Sequence, residues 1–228
     1  TKNLNDKLAP TISSIALSSD NSSVAVTISE AVYNTNGGSG DLEKSDFALS
    51  VSGGVATLSS ATPTSISKSG NVYTLGIGLA SPGSGVETIT INPVENSIFD
   101  LAGNAASTVQ NNNTKNLNDK LAPTISSIAL SSDNSSVAVT ISEAVYNTNG
   151  GSGDLEKSDF ALSVSSGVAT LSSATPTSIS KSGNVYTLGF SLSGTPDGDE
   201  ILKVVPVDDG IYDAVGNEAS TVQNNNTK

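Results

Sequence analysis

Apolar residues in this chain occupy alternate positions in short runs. Val24, Val26 and Ile28 alternate with Ala25 and Thr27, and Phe47, Leu49 and Val51 alternate with Ala48 and Ser50. A period of two is that of a half-buried strand. Further strands are expected at residues 11–17 after Pro10, at 55–58, at 88–91 and at 106–109. Residues 65–68 and the series Tyr73, Leu75, Ile77, Leu79 predict a hairpin around Ser69-Gly70-Asn71. Turn clusters at Ser18-Ser19-Asp20-Asn21 and Gly103-Asn104 punctuate these runs, and a polar, glycine-bearing stretch covers residues 34–45. Seven or eight short strands with turns about every 8–12 residues, and no amphipathic helix, predict an all-β antiparallel sandwich.

The whole pattern returns 113 residues later, in Val137, Val139 and Ile141, then Phe160, Leu162 and Val164, then Tyr186, Leu188 and Phe190. Residues 111–123, NNNTKNLNDKLAP, mark the seam; the chain opens on its second part, TKNLNDKLAP, and ends on its first, NNNTK. A repeat outranks local readings. It predicts a linker at 1–7, repeat 1 at 8–113, a linker at 114–120, repeat 2 at 121–226 and the start of a further repeat at 227–228. Over residues 1–75 one position changes between copies, Gly53 to Ser166; most other changes lie between Ile77 and Ala105. Apolar character is kept there (Ile77 to Phe190, Ile89 to Leu202), while Ser81 to Val86 becomes a Gly194 to Asp199 segment with two added Asp.

A unit of about 110 residues is of ordinary domain size. Aromatics make up 4% of the chain and Trp is absent, so the core must be aliphatic. Net charge is −12 and every basic residue is Lys. That balance disfavours nucleic acid, whose phosphates it would repel, and suits cations. His and Cys are absent, which removes the usual general base, zinc ligands and disulfides. No apolar run approaches the ~20 residues of a membrane span.

Five motifs in order resemble the bacterial immunoglobulin-like tandem repeats of large cell-surface and adhesin proteins, SwmB-type repeats among them. They are Ala9-Pro10-Thr11, Val26-Thr27-Ile28-Ser29-Glu30-Ala31-Val32, Ser45-Asp46-Phe47, Gly70-Asn71-Val72-Tyr73-Thr74-Leu75 and Ile98-Phe99-Asp100-Leu101-Ala102-Gly103-Asn104. The resemblance covers both units. It implies two tandem immunoglobulin-like sandwiches in an extracellular array on a bacterial surface. The seam Asn5-Asp6-Lys7-Leu8-Ala9-Pro10 is similar to the calcium-binding linker of cadherins, from which it departs in the Lys that follows the Asp.

Calcium is the cofactor this composition invites, since it takes six to eight oxygen ligands from carboxylates, amides and carbonyls. Two clusters are expected to supply them. One, at the joint between repeats, combines Asp100 and Asn104 with Asn118, Asp119 and Glu143. The other is the loop of Asn34, Asn36, Asp41, Glu43 and Asp46, repeated as Asn147, Asn149, Asp154, Glu156 and Asp159. Asx-turns in which Asp and Asn satisfy backbone donors account for the same residues without metal. Lys68 and Lys203 are the strand-borne candidates for a Lys–Asn cross-link, and Tyr33 and Tyr146 for stacking on a sugar.

No catalytic constellation emerges. Asp208-Asp209 replaces Glu95-Asn96, so this adjacent carboxylate pair differs between copies, and enzyme activity is not expected. The expected function is a structural one: a stalk, extender or filament segment of an exported protein, rigidified by calcium, with neighbouring repeats or identical chains as partners. The alternative is a calcium-dependent module that binds glycans or another partner.

Overall fold

A computed structural model describes residues 5–228. The chain is all-β and forms two compact units, Thr1–Lys120 and Leu121–Lys228. Unit 1 contains β1 (Ile12–Leu17), β2 (Ser23–Ile28), β3 (Phe47–Ser52), β4 (Ile66–Ser69), β5 (Val72–Gly76), β6 (Thr88–Pro93) and β7 (Thr114–Asn116). Antiparallel pairing gives one sheet in the order β1-β2-β5-β4 and a second in the order β3-β6-β7.

The alternation explains the layering. Val24 and Val26 of β2 and Tyr73 and Leu75 of β5 point inward from the first sheet; Phe47, Leu49, Ile89 and Ile91 meet them from the second. Burying one face of each sheet against the other removes this aliphatic surface from water, the dominant favourable contribution to folding. Phe47 and Tyr73 meet across the interface with centroids 6.0 Å apart and planes at 45°, an attractive tilted geometry. In the turn between β1 and β2, Asn21 adopts a φ of 60°, and the Asp20 carboxylate accepts from Ser18 Oγ, Ser22 N and Ser22 Oγ.

Unit 2 contains β8 (Ile125–Leu130), β9 (Ser136–Ile141), β10 (Phe160–Ser165), β11 (Thr170–Leu171), β12 (Ser178–Ser182), β13 (Val185–Gly189), β14 (Leu192–Ser193) and β15 (Ile201–Pro206). The four-stranded sheet returns as β12-β13-β9-β8, and β10 pairs with β15. The short run expected at 55–58 forms a regular pair in unit 2 alone, as β11 with β14; in unit 1 it is reduced to the single bridge Leu58 to Leu79. Residues 106–109 form no regular strand: Phe99 bridges Tyr33 on one side and Ala105 on the other.

The seam behaves differently from a bare linker. Thr114–Asn116 pairs with β6 as an edge strand, and Leu117, next along, is buried in the core of unit 1. The Leu117 side chain faces the sheet interior as the strand continues and, with the pairing to β6, binds the polar segment to the sandwich. Among the described residues no helix is long and apolar enough to cross a membrane.

Candidate metal centre

Three segments of unit 1 converge at the end of the first sheet where β1 begins and β2 ends. Asp100 opens a turn held by its own carboxylate: Oδ1 accepts from Asn104 N at 2.7 Å and Oδ2 from Asn104 Nδ2 at 2.6 Å. Gly103, at a φ of +86°, closes that turn, and a Cβ there would collide with the Asn36 side chain. Glu30 lies two residues beyond β2. Asp6 is brought in by the segment leading to β1: Thr11 N donates to Ser29 Oγ at 3.0 Å, Ser29 N to Thr11 O at 2.9 Å, and Ile12 N to Gln110 Oε1 at 2.8 Å. One carboxylate oxygen each from Asp6, Glu30 and Asp100 then falls within 4.8 Å of the others.

The electrostatics fit this crowding. Burial, with the charges of Asp100 and Asp6, raises the Glu30 carboxyl above its ordinary value. Burial works to raise Asp100 too, but hydrogen bonds from the Asn104 side chain and from backbone N–H groups outweigh it, and its carboxyl is lowered. Asp100 is 1% exposed and therefore a buried anion beside a carboxylate that resists ionisation. A cluster of carboxylate oxygens with unbalanced negative charge could hold a hard cation. Asp6, Glu30 and Asp100 would hold the ion, and the charge it supplies would bind three separate parts of the chain together.

The residues expected at the joint do not form one cluster. Asp100 and Asn104 belong to this cluster. Asn118 and Asp119 sit at the opposite end of unit 1: Asn118 N donates to Asn21 Oδ1 at 2.9 Å, Asn118 Nδ2 donates to Ser18 O at 3.0 Å, and Asp119 bridges Ser84. The six-residue β1 separates the two ends, about 20 Å at ~3.3 Å per residue. Asp100 is thus the partner of Asp6, within the same unit, and the expected grouping of Asp100 with Asp119 is corrected. Glu143 stands in unit 2 where Glu30 stands in unit 1, and Asp6, Glu30 and Asp100 recur in the sequence as Asp119, Glu143 and Asp213. The repeat offset was the signal that would have paired them.

The second expected cluster does not converge. Asp41 pairs with Lys68 Nζ at 3.3 Å on the surface. Glu43 and Asp46 cap the short helical turn Lys44–Asp46 reciprocally, with Glu43 N donating to Asp46 Oδ2 at 2.7 Å. Asn34 lies against Gly40 and Asn36 against Gly103. Among the described residues, the groups of three or more carboxylates close enough to share an ion do not include this loop. Lys68 is exposed and lies over the Tyr73 ring, and Lys203 is exposed on β15, so neither is the buried lysine a cross-link needs. Tyr33 and Tyr146 are half-buried and bridged through their backbones to Phe99 and Tyr212.

One charged residue escaped notice in the sequence. Glu87 is wholly buried, and its carboxylate accepts from Val55 N, Ala56 N, Ser84 N and Ser84 Oγ. Burial tends to raise it, but these donors prevail and hold it down at about 2. Glu200 repeats the arrangement, led by Ala169 N, at about 2. Both tie a loop to a strand start.

Compared with family models, curated proteins and solved structures, the chain matches none.

Proposed function

We propose that these repeats are structural segments, a stalk, extender or filament wall, of a large protein exported to a bacterial cell surface, and that calcium at Asp6, Glu30 and Asp100 stiffens them. The observation that supports this reading most is the convergence of a seam carboxylate, Asp6, with two carboxylates of the following sandwich. An ion held there would tie the entering chain to the domain, which is where a tandem array loses hinge freedom. Near-identity of the copies and a seam drawn into the sandwich agree with a role served by length and stiffness.

Thermal unfolding in EDTA and in a calcium series to several millimolar tests it, with scattering to follow particle length. Extracellular calcium modules bind with constants of ~0.1–1 mM, and ten-fold saturation adds about 1.4 kcal/mol. A rise in melting temperature that is lost in Glu30→Gln supports the reading. A calcium response unchanged in Glu30→Gln, or none at all, removes the metal from it.

A further inference from the structure

In unit 2, β12 is the edge strand of the four-stranded sheet. Ile179 pairs with Leu188 of β13 and Lys181 with Tyr186. Opposed residues of a ladder, and alternate residues of a strand, share a face. Leu188 and Tyr186 are buried in the core, so the exposed Lys181 projects from the face that the rest of the sheet buries. Beside it lies a cavity of about 190 Å³ walled by Asp154, Leu155, Ile179, Ser180, Lys181 and Tyr186. Lys181 Nζ stands 3.7 Å from Asp154 Oδ1, in an exposed ion pair, and 5.5 Å from the centroid of the Tyr186 ring.

The Tyr186 hydroxyl is the group left over. Tyr186 is 1% exposed, and its hydroxyl has no hydrogen-bond partner among the described residues. Its phenol raises the Lys181 ammonium above the ordinary lysine value, yet the pair does not reach hydrogen-bonding geometry. A buried hydroxyl without a partner carries its desolvation penalty uncompensated, and most such groups are paired. Unit 1 repeats the arrangement with the same residue types, Asp41, Leu42, Ile66, Ser67, Lys68 and Tyr73. There Lys68 Nζ lies 3.3 Å from Asp41 Oδ1 and 5.6 Å from the Tyr73 centroid, and the Tyr73 hydroxyl is unpartnered as well. An inward-pointing lysine on an edge strand discourages strand addition, which accounts for Lys181 but not for the hydroxyl.

We propose that this cavity takes one ring of a neutral sugar, held without metal, with its hydroxyls on Asp154, Lys181 and the Tyr186 hydroxyl and its C–H face against Leu155 and Ile179. The walls select the class. An anion would meet the Asp154 carboxylate, in a chain of net charge −12. A cation would meet Lys181. An apolar molecule would leave the Tyr186 hydroxyl unpaired. A sugar carries donors for Asp154, acceptors for Lys181 and Tyr186, and apolar C–H surface, which matches apolar walls bearing a few polar groups. A cavity of ~150 Å³ accommodates a benzene molecule, so the space here suits a single six-membered ring. The inference stands apart from the calcium reading, because none of the six wall residues belongs to a carboxylate cluster that could hold an ion.

A chemical-shift titration of the isotope-labelled 228-residue chain in EDTA tests it. Glucose, galactose, mannose and N-acetylglucosamine are the neutral probes, taken well into the millimolar range; acetate and methylammonium are the charged ones. Two variants run alongside, Tyr73→Phe with Tyr186→Phe and Asp41→Asn with Asp154→Asn. The expected result is that a neutral sugar shifts the amides of Leu155, Lys181 and Tyr186, and that both variants weaken the response. The Phe variant should weaken it about three- to ten-fold, the contribution of one hydrogen bond. Its melting temperature should not fall, because the hydroxyl has no partner to lose. No response to any of the four sugars overturns the proposal, as does a response unchanged in both variants. A sugar response that appears only on adding calcium overturns the metal-free site. A stronger response to acetate or methylammonium makes the ligand an ion and overturns the sugar.

Discussion

Asn21 and Asn118, 97 residues apart, hold each other by reciprocal hydrogen bonds: Asn21 Nδ2 donates to Asn118 O at 2.8 Å, and Asn118 N donates to Asn21 Oδ1 at 2.9 Å. An asparagine side chain can pair one of its two N–H donors and its carbonyl oxygen as a peptide group does, so Asn21 acts as a side-chain extension of the sheet. It satisfies the backbone of the seam where β7 has ended.

Asn21→Ala should therefore cost unit 1 about 2–4 kcal/mol, combining the loss of two part-buried hydrogen bonds with alanine at a left-handed φ. Asn134→Ala, at a half-exposed position with a similar φ of 55°, should cost less. Hydrogen exchange resolved to each unit checks the difference.

Glu87 makes folding sensitive to acid. Its ordinary value is 4.5 and its folded value about 2. A depressed carboxyl contributes stability that is fully present above 4.5 and is lost as pH falls from 4.5 toward 2. Glu200 acts in the same direction. Glu87→Gln should lower the unfolding free energy at neutral pH by about 1.5–3 kcal/mol, the loss for a charged buried hydrogen-bond acceptor, and flatten the fall of the urea midpoint between pH 4.5 and 2. Equal acid sensitivity in the variant would assign the effect to other groups.

Glu30 has the opposite sign. A raised carboxyl means the folded state holds its proton more tightly than the unfolded chain, so ionising it opposes folding as pH rises above its ordinary value of 4.5. In EDTA at neutral pH, Glu30→Gln should melt higher than the unsubstituted chain. In millimolar calcium the order should reverse. Calorimetry under both conditions reads the crossing directly.

Two glycines with similar backbones should respond differently to alanine. Gly70 turns the β4–β5 hairpin at a φ of +60° with nothing within 4 Å of a built Cβ, so Gly70→Ala should cost only the left-handed strain of about 1–2 kcal/mol. Gly54, at +58°, faces the Glu87 carboxylate, with which a Cβ would collide. Gly54→Ala should cost clearly more and also displace the carboxylate from Val55 N and Ala56 N. Comparing the pH dependence of the two variants separates strain from loss of the clamp.

Much of the architecture was written in local pattern. The alternation Val24, Val26, Ile28 and Phe47, Leu49 placed β2 and β3, because a strand's side-chain period of two must match the faces it buries. The turn residues Gly70-Asn71 marked a hairpin for a backbone reason that needs no partner. Residues 106–109 carry the same kind of composition yet form no regular strand, and 55–58 pairs fully in one copy alone. Edge pairing depends on what lies alongside, which alternation does not record.

The site was half legible. Carboxylates near the seam stood out by type, and Asp100 and Asn104 were correctly placed in one turn. Their partner was not Asp119, because strand length carries the two ends of the sandwich ~20 Å apart. Buried Glu87 left no mark, since a single Glu at a strand start reads as a solvated residue until its four donors from two other loops are assembled.

Period, repeat length and turn chemistry are properties of neighbouring residues, and they were enough for an all-β chain of two like units. Which carboxylates share a point and which asparagine completes a strand 97 residues away depend on contacts between distant segments. Those contacts exist only once the sheets have packed, because burial and register bring together groups that the covalent chain holds apart.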